Sequence, residues 1–318
     1  MIGLSEFRML LRKLLFSSKI TNNLMRIDCL FDELCKLNDK LEDLSKEINC
    51  IRKEIIYNND KFISYQEKLL NEFSNIKYTQ SNLFMSLSVN DLHQKVFPKY
   101  RNINTGKNVV LIAPGPSLNF YKPIENSIHI DVNRACLFDK VQLDYLFVID
   151  YKVTKNFFNK IKSYPNCKKF LGAFFNIGTD ISIPFFEKEG QDIENYFIDC
   201  NNFDYQEKFY PDLSTSPLPS FWSVTFSALA FALWTNPKKL YLVGCDESDF
   251  ESYEYFNGEK AILPDNVSGF KENHKIKHAQ GWKELKRFAE VYYPTTEIIS
   301  VNPVGLRGMF KDLYTITH

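Results

Sequence analysis

Two of the five histidines in this 318-residue sequence, His274 and His278, stand four apart. Imidazole changes charge near neutral pH, so the pair invites three readings. They can be metal ligands on one helix face, a general acid or base, or a solvent-exposed or helix-capping pair. No His-Glu-x-x-His surrounds them and no third ligand is obvious, so metal is not expected. The run Asp246-Glu-Ser-Asp249 approaches a metal-binding Asp-x-Asp pattern, but its spacing is wrong by one, and Asp249 reads as surface. No Ser/His/Asp triad or cysteine-nucleophile context stands out.

A second cluster lies around the turn Pro114-Gly115-Pro116-Ser117, which directly follows the apolar run Val109–Ala113. An unbroken apolar run bounded by turn residues predicts a buried parallel strand. The carboxyl end of such a strand is where open α/β sheets bind ligands. Gly115 has no Cβ and permits close approach of a ligand. Ser117 and the following amides are donors suited to a phosphate. The competing reading is an ordinary strand-to-helix turn. Asn133, Asp150 and Asp246 fall at the ends of three further predicted strands. Together with the Gly115 turn they describe a nucleotide cleft.

The elements that must position these residues begin at 108. Strands are predicted at Val109–Ala113, Ile128–Val132, Tyr145–Ile149, Lys169–Ala173, Tyr196–Ile198, Leu240–Val243 and Glu297–Val301. Helices are predicted at Val153–Lys162, Phe221–Trp234 and Gly281–Tyr292. The alternation implies an α/β fold, Rossmann-like, with a mainly parallel sheet and flanking helices. Helix 221–234 is apolar all round and should be buried, with Ser223 at its start able to meet a phosphate or base. Residues 246–277 read as one long irregular segment of the kind used as a lid.

Ahead of this domain the texture is helical. Residues 1–19 form a basic amphipathic pattern that can lie on an anionic membrane or pack on protein. From Ile20 to Ile55 apolar residues recur at alternating spacings of three and four, with charged residues between. That is a coiled-coil signature with one short step at Leu34–Leu37. It continues weakly through Phe62, Tyr65, Leu69, Phe73 and Ile76, so residues 20–95 are read as an oligomerisation segment. A hairpin folded at Tyr57–Asp60 is the alternative. The domain boundary is expected near 95–107, with the α/β domain over 108–318.

Composition bounds the rest. Lys and Arg total 39, as do Asp and Glu, so nothing points to nucleic acid as a partner. Seven cysteines without a C-x-x-C fit reduced thiols in the cytoplasm. No apolar run approaches the roughly 20 residues that span a bilayer, and Glu6 within the first stretch argues against a signal peptide. The expected location is therefore cytoplasmic, with at most peripheral contact at the inner face of a membrane.

Four segments in order resemble the bacterial sialyltransferases that use CMP-sialic acid, glycosyltransferase family 42. They are Val109–Leu118, Phe226–Leu233 with Lys239–Asp246, Asn273-His-Lys-Ile-Lys-His278, and Asn302-Pro303. The resemblance implies a metal-independent glycosyltransferase with no cofactor beyond its nucleotide-sugar donor, acting on a saccharide acceptor. It further implies His278 as general base, beside His274. Gly115, Pro116, Ser117, Asn133, Asp150, Ser223 and Asp246 would line the nucleotide, and Tyr253 or Tyr255 would steady the donor phosphate. Pro114 stands where the family has Asn, and Pro217–Trp222 where it has an Arg; its first donor tyrosine falls at Ser248. The domain shared by flagellin-glycosylation factors and an archaeal pterin pyrophosphokinase is also similar, through Leu143–Asp150, Ser223-Val224 and Val243–Asp246. A non-catalytic coiled-coil scaffold with a degenerate nucleotide fold is the reading from another class.

Overall fold

The structure is a computed structural model that describes residues 21–54, 59–150, 153, 156–172, 174–175, 181–182, 195–200, 206–247, 254–260 and 270–315. The expected helix over 1–19, the fold-back at 57–58, and Tyr253, Ser248 and Asp249 lie outside the described residues. The chain divides into two compact units: Met1–Met85 with Asn176–Asp180, and Ser86–Phe175 with Ile181–His318.

The first unit is helical. Helix α1 spans Thr21–Glu54, and helix α2, Asn59–Val96, begins in this unit. Exposure along α1 follows the seven-residue pattern. Phe31 is buried and Leu34, Leu37, Leu41, Leu44 and Ile48 are half-buried, while Asp32, Glu33, Asp39, Lys40 and Glu42 are exposed.

The second unit is the α/β domain. Its strands are β1 (Asn108–Ile112), β2 (Ser127–Val132), β3 (Tyr145–Val148), β4 (Lys168–Gly172), β5 (Phe174–Phe175), β6 (Ile181–Ser182), β7 (Asn195–Phe197), β8 (Lys239–Val243), β9 (Glu297–Val301) and β10 (Lys311–Leu313). Among the described residues, eight of them form one sheet in the order β10-β9-β8-β1-β2-β3-β4-β7. Every pairing in it is parallel. Strands β5 and β6 form a separate antiparallel pair. The predicted strands all appear, shifted at most by a residue; β10 and the β5–β6 pair were not predicted.

The helices are α3 (Phe158–Lys162), α4 (Val224–Trp234) and α5 (Phe270–Tyr292). Three expectations change here. Helix α4 starts at Val224 rather than 221, because Phe221 and Trp222 have φ of +42° and +64°. Helix α3 is the last part of the expected Val153–Lys162; Val153 and Asn156 ahead of it are helical too, with a bend at Phe157. Helix α5 begins eleven residues before Gly281, so His274 and His278 sit on a helix and the irregular segment ends before them.

Both faces of the sheet are covered. Val109, Leu111, Ile130, Val132, Phe147 and Phe170 pack under α4, whose residues are all buried. Ala228, Ala230 and Ala232 let that helix approach the strands closely. Phe147 stacks on Phe170 with centroids 4.4 Å apart, and Phe231 of α4 closes on Phe170 at 4.8 Å. The opposite face carries Val110, Ile112, Tyr241, Val243, Ile299 and Val301. The end of α2 and the turn after it also belong to this core, through Val96 and then Phe97 and Tyr100. The compact unit thus opens at Ser86, ahead of the expected boundary at 95–107. Among the described residues, no helix is long and apolar enough to cross a membrane.

Candidate active site

All eight strands point the same way, so their carboxyl ends share one edge. The chain leaves β1 toward β2, β3 and β4, then returns to β8 on the other side of β1. The switch point is therefore between β1 and β8, where such folds open a crevice. Here the two loops are joined to each other. Ala113 N donates to Val243 O at 2.8 Å and Gly115 N to Gly244 O at 2.9 Å. Ser117 N donates to the Asp246 carboxylate at 2.7 Å, and the Ser117 hydroxyl donates to its other oxygen. A Cβ on Gly115 would meet Gly244 O and the Asp246 carboxylate; one on Gly244 would meet Ala113 O.

This corrects the expectation for Ser117 and Asp246. Both donors of Ser117 are directed at Asp246, and both residues are buried. They fasten the two loops and do not face a phosphate. Gly115 is required by the neighbouring loop rather than by a ligand. Burial raises the Asp246 carboxyl above its ordinary value, against the Ser117 hydrogen bonds that lower it. The space between the two loops is filled by these contacts.

The next residue after Asp246 reaches across to α5. Glu247, held at a φ of +43°, turns its carboxylate to His278 on α5. The His278 Nδ1 lies 3.1 and 3.2 Å from the two carboxylate oxygens. Burial works to raise the Glu247 carboxyl, but the His278 hydrogen bond, with help from the nearby Trp282 indole and His274, brings it below its ordinary value. An ionised carboxylate on Nδ1 fixes the proton there and places the lone pair on Nε2. That Nε2 is buried with no hydrogen-bond partner among the described residues. His274 packs against it, with ring centroids 3.9 Å apart. Burial lowers His274 to about 4, so it is neutral at neutral pH. A carboxylate, an imidazole and an unused buried ring nitrogen are the parts from which a proton acceptor can be built. Among the described residues, no group of three or more His, Cys, Asp or Glu has the geometry to hold a metal.

The ends of β2 and β3 form the other half of the edge. Asn133, at a φ of +46°, accepts the Ile149 amide on its side-chain oxygen at 3.2 Å and so ties β2 to β3. Asp150, one residue on, is exposed. Arg134 lies over the Tyr255 ring at 4.7 Å and pairs with Glu259. Tyr255 belongs to the turn 254–260, which docks on the sheet edge through Phe256 N to Pro114 O at 2.9 Å and Asn119 Nδ2 to Phe256 O at 2.7 Å. Burial raises the Tyr255 hydroxyl, so it stays a donor. Ser223 accepts the Thr225 amide at 3.3 Å and caps α4. Its oxygen thereby satisfies one of the first amides of the helix.

The edge thus brings together Gly115, Pro116, Asn133, Asp150, Tyr255 and the Glu247–His278 pair. Sequence reasoning missed Glu247 and Arg134. Each is adjacent to a residue it did select, Asp246 and Asn133. Burial pushes the thiols of Cys136 and Cys167 up to about 12, so neither is a nucleophile at neutral pH.

No family model and no curated protein matches the chain. Among solved structures, it is similar to the MAf glycosyltransferase of Magnetospirillum magneticum, at 15% identity over 71% of this chain and 38% of that one, with a TM-score of 0.38. The chain spans about two fifths of that protein's length. It is also similar to the sialyltransferase CstII of Campylobacter jejuni, in complex with the substrate analogue CMP-3FNeuAc. There the identity is 14%, over 65% of this chain and 86% of that one, with a TM-score of 0.36. A variant of that sialyltransferase in complex with CMP gives 14%, 60%, 80% and 0.32 in the same order. None of the three assigns a role to a residue of this chain.

Proposed function

We propose that the α/β unit transfers a glycosyl group from a nucleotide sugar, a CMP-sugar first among the candidates, to a hydroxyl of a saccharide acceptor. The Glu247–His278 pair carries this reading. His278 Nε2 takes the proton as the acceptor oxygen bonds to the anomeric carbon and the nucleotide phosphate leaves. Glu247 keeps the proton on Nδ1 and stabilises the imidazolium that forms. The donor lies over Gly115 and Pro116, with Asn133 and Asp150 toward ribose or base. The α4 terminus at Ser223 and one tyrosine, Tyr253 or Tyr255, serve the departing phosphate. No cofactor is invoked beyond the donor. Oligomerisation through residues 20–95, peripheral membrane contact through 1–19 and a cytoplasmic setting belong to the same proposal, with a surface polysaccharide as the product.

The test has two arms. A melting-temperature screen against CMP, UMP, GDP and AMP sugars asks whether a nucleotide binds; a ligand at 100 times its Kd adds about 2.7 kcal/mol. His278→Ala is then assayed with the donor that binds. A loss of about 10²–10⁴-fold in transfer is expected. Full activity in that variant removes His278 as base.

A further inference from the structure

We propose that Trp222 and the groove beside α5 form the binding site for the saccharide acceptor. The proposal rests on the reading of His278 as the base of glycosyl transfer, since a base must touch the acceptor hydroxyl.

The backbone at Phe221 and Trp222 is the first observation. Two successive aromatic residues with φ of +42° and +64° occupy a conformation that bulky side chains rarely adopt. Such strain persists only where surroundings impose it, and it concentrates at functional sites. The surroundings are visible. The Glu207 carboxylate accepts the amides of Ser220 at 3.3 Å and Phe221 at 2.8 Å. Phe221 is driven inward against Phe226, at 5.2 Å between centroids. Trp222 is thereby turned outward and left 38% exposed. Its ring meets His274 edge-on at 6.1 Å, and the His274 ring lies 3.9 Å from that of His278. A large flat surface is thus held next to the imidazole pair.

The second observation is the groove. A cavity of about 370 Å³ runs along α5, lined by Gln206, Glu207, Lys208, Lys277 and Gln280 among others. That size is within the range of small-ligand sites. Glu207 both lines it and pins the Trp222 turn, and so joins the groove to Trp222; the imidazole pair itself does not line the groove. The lining offers amides, ammonium groups, a guanidinium and two carboxylates. A sugar presents hydroxyls all round its edge and an apolar C–H face. The hydroxyls match this lining, and the C–H face matches an exposed indole. The donor, by contrast, has its place at the ends of β1, β2 and β3.

The test uses the full chain and a printed array of neutral and acidic saccharides. Wild type is expected to bind a defined subset, with quenching of the exposed Trp222; Trp234 and Trp282 are buried and report little. Trp222→Gly is expected to lose that binding by at least tenfold while melting at a higher temperature, because glycine relieves the strain. Trp222→Phe should restore part of the binding. The CMP-induced melting shift should be the same in all three. Unchanged array binding by Trp222→Gly overturns the proposal, as does a wild type that CMP stabilises but no saccharide engages. Absence of a CMP shift counts against the donor reading instead, and the array still decides the role of Trp222.

Discussion

Asp246 accepts both the amide and the hydroxyl of Ser117, across the point where the sheet changes direction. The two residues are 129 positions apart, so this contact closes the α/β unit as well as shaping its edge. Asp246→Ala would leave two buried donors unpaired. Each costs about 1–3 kcal/mol, so a fall of about 2–6 kcal/mol in urea-derived stability is expected. Asp246→Asn keeps an acceptor and should lose less. If Asp246 were a ligand residue instead, alanine would abolish nucleotide binding and leave stability intact.

Glu247 should matter for turnover more than for binding. With its carboxylate 3.1 Å from Nδ1, it decides which nitrogen of His278 carries the proton. Glu247→Gln offers an amide that can donate to Nδ1 and so favours the wrong tautomer. A loss of kcat of about 10²–10⁴-fold is expected, with the donor-induced melting shift retained. Wild-type kcat in that variant would show that the pairing is only structural.

How far the site could be read from residue order follows from these contacts. Strand β1 was legible because Val109–Ile112 is buried on both faces and carries no polar interruption. Strand β10, Lys311-Asp312-Leu313, is short and largely exposed, so it leaves no apolar signal. The first turns of α5 were missed for a related reason. Residues 270–280 are mostly charged or polar and Ile276 is exposed; the apolar stripe starts only at Trp282, Leu285 and Phe288. Phe221 and Trp222 were read as helix because they are apolar, yet the Glu207 bonds hold their backbone on the other side of φ = 0. Glu247 was hidden because its role exists only once α5 docks against the end of β8.

His93 should make the protein acid-labile. Its Nδ1 donates toward Leu213 O and Ser216 O, both at 2.9 Å, and its Nε2 accepts the Ile198 amide at 2.9 Å. A proton on Nε2 would oppose that amide. Burial lowers the folded pKa to about 4 from 6.5. The unfolded chain therefore binds a proton first as pH falls. Stability is fully present above about 6.5 and is lost as pH drops toward 4. Between pH 7 and 5 the loss is about 2 kcal/mol, at 1.36 kcal/mol per unit. Urea titrations at the two pH values measure it. His93→Gln should be less stable at pH 7 and show a flatter dependence; an equal slope in that variant would assign the acid lability to another group.

Gly281→Ala tests how closely α5 must sit. Alanine in a helix interior ordinarily gains about 1 kcal/mol over glycine. Here a Cβ at 281 would come within 2.6 Å of Phe226 Cζ and 2.8 Å of Phe221 Cγ, both rings buried. Those rings, one on α4 and one just ahead of it, are locked in the core, so α5 must move instead. Overpacking of this kind typically costs about 1–3 kcal/mol. The net expectation is therefore a lower melting temperature despite better helix propensity. Because Gly281 is one turn after His278, the same displacement should lengthen the His278–Glu247 contact and reduce kcat before unfolding begins. An alanine variant that is more stable than wild type would mean that α5 has slack against α4, and that His278 is not held by their packing.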